Sequence, residues 1–222
     1  MTAMTPPDDL RQYASATQRN REPILEVLLQ VLPPNGTVLE VASGTGEHAV
    51  FFAPRLKPRK WLPSDRNPQM RASIAAWRTY EPSDNLYPPL DLDVHAPAWP
   101  VERGMLPEGL SGFDFETSPI TAIVNINMIH IAPWSACLGL MAGASRILPA
   151  NGILYLYGPF KQGGQHTSSS NAAFDESLRT SNSEWGVRDL NDVVAVAAQQ
   201  HLCLIETYPM PANNLSVVFQ RQ

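Results

Sequence analysis

Apolar, β-branched runs alternate with amphipathic runs along most of this chain. Val38, Leu39, Glu40 and Val41 predict a buried strand, Ser43 to Gly46 a tight turn, and Ala49, Val50, Phe51, Phe52 and Ala53 the opening of a helix that Pro54 bends or shortens. Further strands are predicted at Lys60–Pro63, Leu90–Val94, Thr121–Ile126, Ile153–Tyr157, Cys203–Tyr208 and Leu215–Phe219. Helices are predicted at Met70–Tyr80, Trp134–Leu148, Asn171–Arg179 and after a cap at Asp189 or Asn191. Upstream, Asp8–Ala16 reads as a short helix over the site, and a second helix starts at Pro23 and carries Ile24, Leu25, Val27, Leu28, Val31 and Leu32. Strand–helix alternation of this kind predicts an α/β fold: seven strands, mostly parallel, with helices on both faces. The last two strands are joined by only six residues, Pro209 to Asn214, which requires an antiparallel hairpin at the end of the sheet.

The turn after the first strand narrows the chemistry. A glycine turn between strand and helix lets backbone N–H groups approach a nucleotide-like ligand at the helix N-terminus. Two cofactors compete for it. Gly44-Thr45-Gly46-Glu47-His48-Ala49 fits the dinucleotide pattern G-x-G-x-x-A, and Asp65 stands at the distance expected for a ribose-binding acid. Glu40 discriminates between them, because a carboxylate beside the turn repels a pyrophosphate and suits the ammonium and sulfonium of S-adenosylmethionine. An acid buried in a strand without a partner costs several kcal/mol, on the order of 2–7, which a purely structural turn has no reason to carry.

Asp65 can accept both ribose hydroxyls or cap the helix that follows Asn67-Pro68. Asp93 is placed to accept from an adenine amino group, with Asp91 as its alternative or a solvent-facing residue. The strand end Asn127-Met128-Ile129-His130 faces the ligand crevice of an open α/β sheet. Met128 and Ile129 suit an adenine or a methionine chain. His130 reads either as a base or as a structural hydrogen-bonding residue, and Tyr157 is a second candidate proton acceptor.

The 222 residues suit one α/β domain, with residues 1–18 as an N-terminal extension and 161–190 as a segment over the acceptor side. Residues 1–7 read as disordered, residues 95–119 as a proline-rich surface excursion, and Lys161–Ser170 as a mobile lid loop. Net charge is −5 without a basic block, so nucleic acid is not an expected partner and a small-molecule substrate is. No apolar run reaches membrane-spanning length, and the first residues lack a signal peptide's apolar region; a cytoplasmic location is expected. Cys137 and Cys203 fall in apolar segments and read as reduced thiols, not as a disulfide or metal site.

A set of short motifs carries a family resemblance: Arg19-Asn20 ahead of Pro23-Ile24-Leu25, then LEVASGTGEHA, WLPSD, LDV, NMIHIAPW, YGPF, SNAAFDESLR, SEWGVRD and MPANN. From about Arg19 onward the chain resembles a family of small methyltransferase-like proteins, the domain-of-unknown-function group that includes human methyltransferase-like protein twenty-six. Glu47 and Leu62 stand where that family carries Gln. The resemblance implies a Rossmann-like class I methyltransferase fold with S-adenosylmethionine as cofactor, and no particular substrate. Carried onto this sequence, the cofactor residues it implies are Arg19, Asn20, Glu40, Ala42, Ser43, Gly44, Gly46 and His48 around the first turn, Asp65 for ribose, and Leu92, Asp93, Val94, Asn127 and Met128 around the adenine. Asn171, Asp175, Arg179, Trp185, Arg188, Asn213 and Asn214 are polar and clustered beyond the fifth strand. With His130 and Tyr157 they read as a substrate pocket, or, for Asp175, Arg179, Arg188 and Asp189, as an ion-pair brace for the lid. An NAD-binding oxidoreductase is the alternative from the same fold, and because no Asn-Pro-Pro-Tyr-type turn follows the fourth strand, a non-catalytic module that keeps the cofactor pocket also stays open.

Overall fold

The computed structural model describes residues 9–102, 108–110 and 113–222. Among them, six strands form one sheet in the order β2-β1-β3-β4-β8-β7. These are β1 (Thr37–Val41), β2 (Lys60–Ser64), β3 (Ile120–Ile126), β4 (Ile153–Pro159), β7 (Leu202–Met210) and β8 (Asn214–Arg221). The first four are parallel, and β8 runs antiparallel to both β4 and β7. The helices are α1 (Ser15–Val31), α2 (Glu47–Arg55), α3 (Pro68–Tyr80), α4 (Trp134–Ile147), α5 (Ser169–Ser181) and α6 (Leu190–Gln199). Strand periodicity sorts the core into two layers. Val38, Val124 and Tyr155 pack under α1 and α2, while Leu39, Val41, Ile123 and Leu154 pack under α4 and α6.

Six strands, not seven, make up the sheet. The segment expected as a third strand at Leu90–Val94 lies beside β2 but makes only isolated bridges, Trp61 to Leu86 and Ser64 to Leu90. Pro88 and Pro89 stand between those bridges, and without backbone N–H groups they cannot carry a ladder from one to the other. The chain still places Leu92 and Val94 where a strand end would.

At the N-terminus the helix boundaries differ from the pattern. Residues 9–14 form neither helix nor strand, and α1 then runs unbroken from Ser15 through Pro23. A non-helical backbone is sustained here because its polar groups find partners on α2 and α3. The Gln12 N–H donates to Ser73 Oγ (2.8 Å), the Trp77 indole N–H donates to the Gln12 carbonyl (2.9 Å), and the Ala14 N–H donates to Glu47. Asp8 and the disorder expected of residues 1–7 lie outside the described residues.

Nor is the 95–119 region a surface excursion throughout. Trp99, Leu110 and Phe113 are buried in the α4 layer, and a side chain at Gly143 would collide with the Trp99 ring. The parts of that region at 103–107 and 111–112 are outside the described residues. The expected lid loop is a tight hairpin, β5 (Lys161–Gln162) and β6 (Gln165–His166), closed by Gly163 (φ +59) and Gly164 (φ +79). Two successive residues at positive φ form the turn whose twist suits a two-residue hairpin.

Candidate active site

The ends of β1, β2 and β3 meet at the glycine turn. Gly46 (φ +91) lies so close to α3 that a Cβ would come within 2.9 Å of the Ile74 backbone, so only glycine fits. Gly44 (φ +56) is different: a side chain there would meet nothing within 4 Å, leaving its face of the turn open to a ligand. Ala42 (φ 57) occupies the left-handed region at the position where the resembled motif carries its first glycine.

Three acids surround this turn, and none is paired with a lysine or arginine among the described residues. Glu40 is buried on the α1/α2 side and accepts from the Trp61 indole N–H (2.9 Å). Burial pushes its carboxyl up to about 7, against the pull of the Trp61 and Ser43 hydrogen bonds. Glu47 accepts from Thr45 Oγ1 (3.2 Å) and from the Ala14 N–H. Asp65 accepts from the Gly44 N–H (3.0 Å) and the Asn67 N–H (2.8 Å). The cap of α3 is Asn67, whose side chain accepts from the Gln69 N–H (2.9 Å), so Asp65 is not the helix cap; a carboxylate holding two N–H donors keeps two lone-pair sites. Ser43 N–H donates to the Ser64 carbonyl (2.8 Å), locking the turn to β2.

Beside the turn is a narrow cavity of about 70 Å³, walled by Ala42, Leu92, Val94, Met128 and Ala132, with Arg66 and His95 at its rim. Its lining is mostly apolar. Asp93 sits at this rim and is held below its ordinary carboxylate value by the His95 backbone N–H, and by its ring. His95 also reaches Ser135 Oγ (3.0 Å). Asp91 instead pairs with Arg71 (3.0 Å) and faces outward.

A second, larger cavity of about 420 Å³ opens between α1, the ends of β3 and β4, α5 and the β7–β8 turn. Arg19, Asn20, Asn127, Tyr157, Asn171 and Asn214 line it, with Phe174, Pro159 and Pro211 as apolar wall. Asn213 borders it, donating from its amide to Ser170 Oγ (3.2 Å), while the Asn171 amide donates to the Asn213 carbonyl (2.8 Å). Arg19 and Asn20, expected around the glycine turn, therefore line the acceptor-side cavity. His48 connects the two regions: its Nε2 lies 2.9 Å from Asn20 Oδ1, and Asn20 also bonds the Tyr157 phenol. Burial, reinforced by Arg21, holds His48 down at about 4, so the ring is neutral and donates to Asn20. Burial also raises the Tyr157 phenol, which therefore keeps its proton at neutral pH. Of the two proton acceptors proposed from sequence, Tyr157 reaches the cavity in a form that donates.

His130 does not reach it. The ring is fully buried behind Gly158, with Nε2 at 2.5 Å from where a Gly158 side chain would begin. Nδ1 accepts from the Arg188 N–H (3.3 Å), and the ring meets Phe160 edge-on at 4.9 Å. Burial and the Arg188 charge hold it down at about 3. The ring is therefore neutral and held by main chain at Nδ1, while its buried Nε2 faces Gly158 with no hydrogen-bond partner among the described residues.

The polar cluster after β4 divides. Asn171, Asn213 and Asn214 belong to the acceptor cavity. Asp175 does not: it is buried and gathers Lys161 (2.9 Å), His166 (3.3 Å), Arg179 (3.2 Å) and the Val187 N–H (2.7 Å). The Arg188 guanidinium donates to the carbonyls of Ile129 (3.0 Å), Ala132 (2.7 Å) and Glu184 (2.7 Å). Arg179 and Arg188 line a separate open hollow with Trp134 and Asp189, and the Trp185 N–H closes a turn onto Asn182. This group is the brace, tying hairpin, α5 and the 182–189 turn to the end of β3. Sequence reasoning missed Phe174, Pro211, Arg66 and His95, which carry no motif and become neighbours only through the fold.

The family described as "Protein of unknown function (DUF938)" matches residues 11–221. This chain belongs to that family. Solved structures show the same fold. An O-methyltransferase family 2 protein from Planctomyces limnophilus, in complex with apigenin, superposes with a TM-score of 0.74 at 18% identity over 100% of this chain and 63% of its own. The mitomycin 7-O-methyltransferase MmcR gives 0.71 at 12% identity, over 94% of this chain and 55% of its own. CalO1, a methyltransferase of calicheamicin biosynthesis in its SAH-bound form, gives 0.65 at 13%, over 91% and 54%. The chain thus spans between half and two thirds of the length of these proteins. The sheet of this protein has the fold of these neighbours. No helix of the described residues is long and apolar enough to cross a membrane.

Proposed function

We propose that this protein transfers a methyl group from S-adenosylmethionine to a small-molecule acceptor. The observation that carries this reading is the glycine turn ringed by Glu40, Glu47 and Asp65, none of them paired with a cation, and opening beside a neighbouring cavity of acceptor size. Unpaired carboxylates there oppose a dinucleotide's pyrophosphate and favour a ligand that brings positive charge. The open face at Gly44 and the apolar slot between Leu92, Val94 and Met128 fit a methionine chain and an adenine; Asp65 would hold the ribose, and Asp93 the adenine edge. When bound, the cofactor supplies an electrophilic methyl on a sulfonium. The protein's part is to orient the acceptor against it through Asn127 and Tyr157 and to exclude water. Two neighbours named as O-methyltransferases, one of them in complex with apigenin, and a methyltransferase of calicheamicin biosynthesis with SAH bound support a small-molecule acceptor.

Calorimetry tests the reading. S-adenosylhomocysteine is expected to bind with micromolar affinity, roughly −8 kcal/mol. Tight NADH binding with no heat from S-adenosylhomocysteine would replace it with the oxidoreductase reading.

A further inference from the structure

The acceptor cavity offers a cation and no base. Among its lining residues Arg19 carries the only charge, and there is no Asp, Glu, Lys, Cys or His. Arg19 is exposed on α1, and among the described residues no carboxylate pairs with it. The two histidines nearest the cavity cannot serve it. His48 spends its Nε2–H on Asn20, and His130 is sealed behind Gly158. The hydrogen-bond chain also has a direction. His48 donates to Asn20 Oδ1, which leaves the Asn20 NH₂ facing the Tyr157 oxygen and turns the phenol's own proton into the cavity. The charged group that meets an acceptor from this side is a cation, and the Tyr157 phenol meets it as a donor. Asn171 and Asn214 spend their amide N–H groups on Thr167, Asn213, Pro211 and Ala212, leaving only neutral amide oxygens, which take up no proton at neutral pH.

A phenol, an aliphatic amine or a thiol holds a proton with an ordinary pKa of about 10, 10.4 and 8.5, and must lose it when methylated. Nothing in this cavity accepts that proton. A carboxylate, with an ordinary pKa near 4, arrives without one. We propose that the acceptor is a small organic acid with an apolar body, bound as its anion, and that a carboxylate oxygen is methylated. This rests on the methyltransferase reading above. One oxygen accepts from Arg19 and from the Tyr157 O–H, while the apolar body lies against Phe174, Pro159 and Pro211. A lone pair on the other oxygen forms the O–CH₃ bond as the S–CH₃ bond breaks, and sulfur keeps the bonding pair. Anion and sulfonium become a neutral ester and a thioether, and no proton is released. The ester no longer carries the charge that Arg19 holds, which favours its departure.

The test uses the full chain and begins with S-adenosylhomocysteine. A protein that does not bind it fails the methyltransferase reading itself. With S-adenosylhomocysteine saturating, benzoate and cinnamate are titrated against benzamide and cinnamamide. The acids are expected to bind at least tenfold tighter, and Arg19→Met is expected to erase that preference while melting temperature and S-adenosylhomocysteine affinity stay within twofold of the parent. Equal binding of acid and amide overturns the proposal, as does failure of both acids to bind. Loss of S-adenosylhomocysteine affinity in Arg19→Met also overturns it, by placing Arg19 on the cofactor's own carboxylate. With methyl-labelled S-adenosylmethionine, the product from the acids is expected to release volatile label as methanol in mild alkali. An alkali-stable product, or turnover confined to phenol, benzylamine or thiophenol controls, overturns the acid as acceptor.

Discussion

At the glycine turn, the groups that shape the site lie within one short stretch of chain, Glu40 to Asp65, held by strand ends and backbone hydrogen bonds. At the acceptor cavity the walls come from five separate segments: the start of α1, the ends of β3 and β4, the start of α5 and the β7–β8 turn. The ends of β3 and β4 and the β7–β8 hairpin are joined by the sheet ladder, but α5 is not: it is held by side chains bonded to distant main chain, Asp175 to the Val187 N–H and Asn171 to the Asn213 carbonyl. The first region can persist while the second loosens. A ligand pocket made by local backbone keeps its shape through changes that scatter a pocket made by long-range ties, so the two should separate under perturbation.

The largest separation is expected from Asp175→Ala. It strands Lys161, Arg179 and His166 around a buried site and leaves the Val187 N–H without its acceptor. Removing one member of a buried ion-pair cluster costs about 3–5 kcal/mol. Urea unfolding should show that loss. Hydrogen exchange should rise across residues 161–189, while S-adenosylhomocysteine affinity changes by less than threefold. A matching loss of cofactor affinity would show the two regions to be one unit.

Acidification acts on both regions, with opposite signs. His48 and His130 are held at about 4 and about 3, below the ordinary 6.5. A depressed histidine contributes full stability above pH 6.5 and loses it as pH falls toward the folded value, because the unfolded chain takes the proton first. Glu40, raised to about 7, does the reverse: its contribution is full below its ordinary 4.5 and is lost as pH rises through 7. Two losses against one gain leave a net drop of about 2 kcal/mol between pH 7 and pH 4.5. Glu40→Gln removes the opposing group, so its urea midpoint should fall more steeply over the same range. A parent midpoint flat with pH would mean that the histidines are not neutral in the folded protein.

How far the sequence reveals the site follows the same division. Gly44, Gly46, Glu40 and Asp65 were readable because strand, turn and helix are consecutive and each residue's role is set by its neighbours. The missing strand beside β2 was readable in principle, since Pro88 and Pro89 bar a ladder, but the alternation of Leu90 to Val94 concealed it. His130 follows a strand end, as a ligand-facing residue does. Nothing local reveals that Gly158, 28 residues on, lets the ring tuck beneath it. Arg188 reads as a substrate cation until the fold brings the carbonyls of Ile129 and Ala132 to it. Phe174 on α5 and Pro211 in the hairpin turn carry no signal at all. Their shared cavity exists only when Asn171 ties α5 to the Asn213 carbonyl in the hairpin turn.

Asp65→Ala tests the local region alone. It removes the acceptor of the Gly44 and Asn67 N–H groups and the candidate ribose acid. Hydrogen bonds to a charged group are worth about 1.5–3 kcal/mol, so S-adenosylhomocysteine affinity should fall by one to two orders of magnitude. Hydrogen exchange at 161–189 should stay at parent values. Altered exchange there, with affinity unchanged, would invert the comparison.

The smallest effect concerns strain. Ala42 (φ 57) and Asn127 (φ 65) are both left-handed, one beside the glycine turn and one at the acceptor cavity. An alanine in that region costs about 1–2 kcal/mol, because its Cβ crowds the following carbonyl. Ala42→Gly relieves the clash, yet glycine also gives the unfolded chain more freedom, which offsets about 0.5–1 kcal/mol. A net gain of about 0.5–1 kcal/mol remains, seen as a melting temperature roughly 1–3 °C higher. Asn127→Gly should gain nothing. Asparagine already tolerates the left-handed region through its short polar side chain, and that side chain is a wall of the acceptor cavity. Calorimetric melting of the two variants separates them. Equal gains would mean that strain, not side-chain chemistry, selects the residue at 127. A loss from Ala42→Gly would mean that the Ala42 methyl, packed in the apolar slot with Leu92 and Met128, contributes more to the fold than its backbone costs.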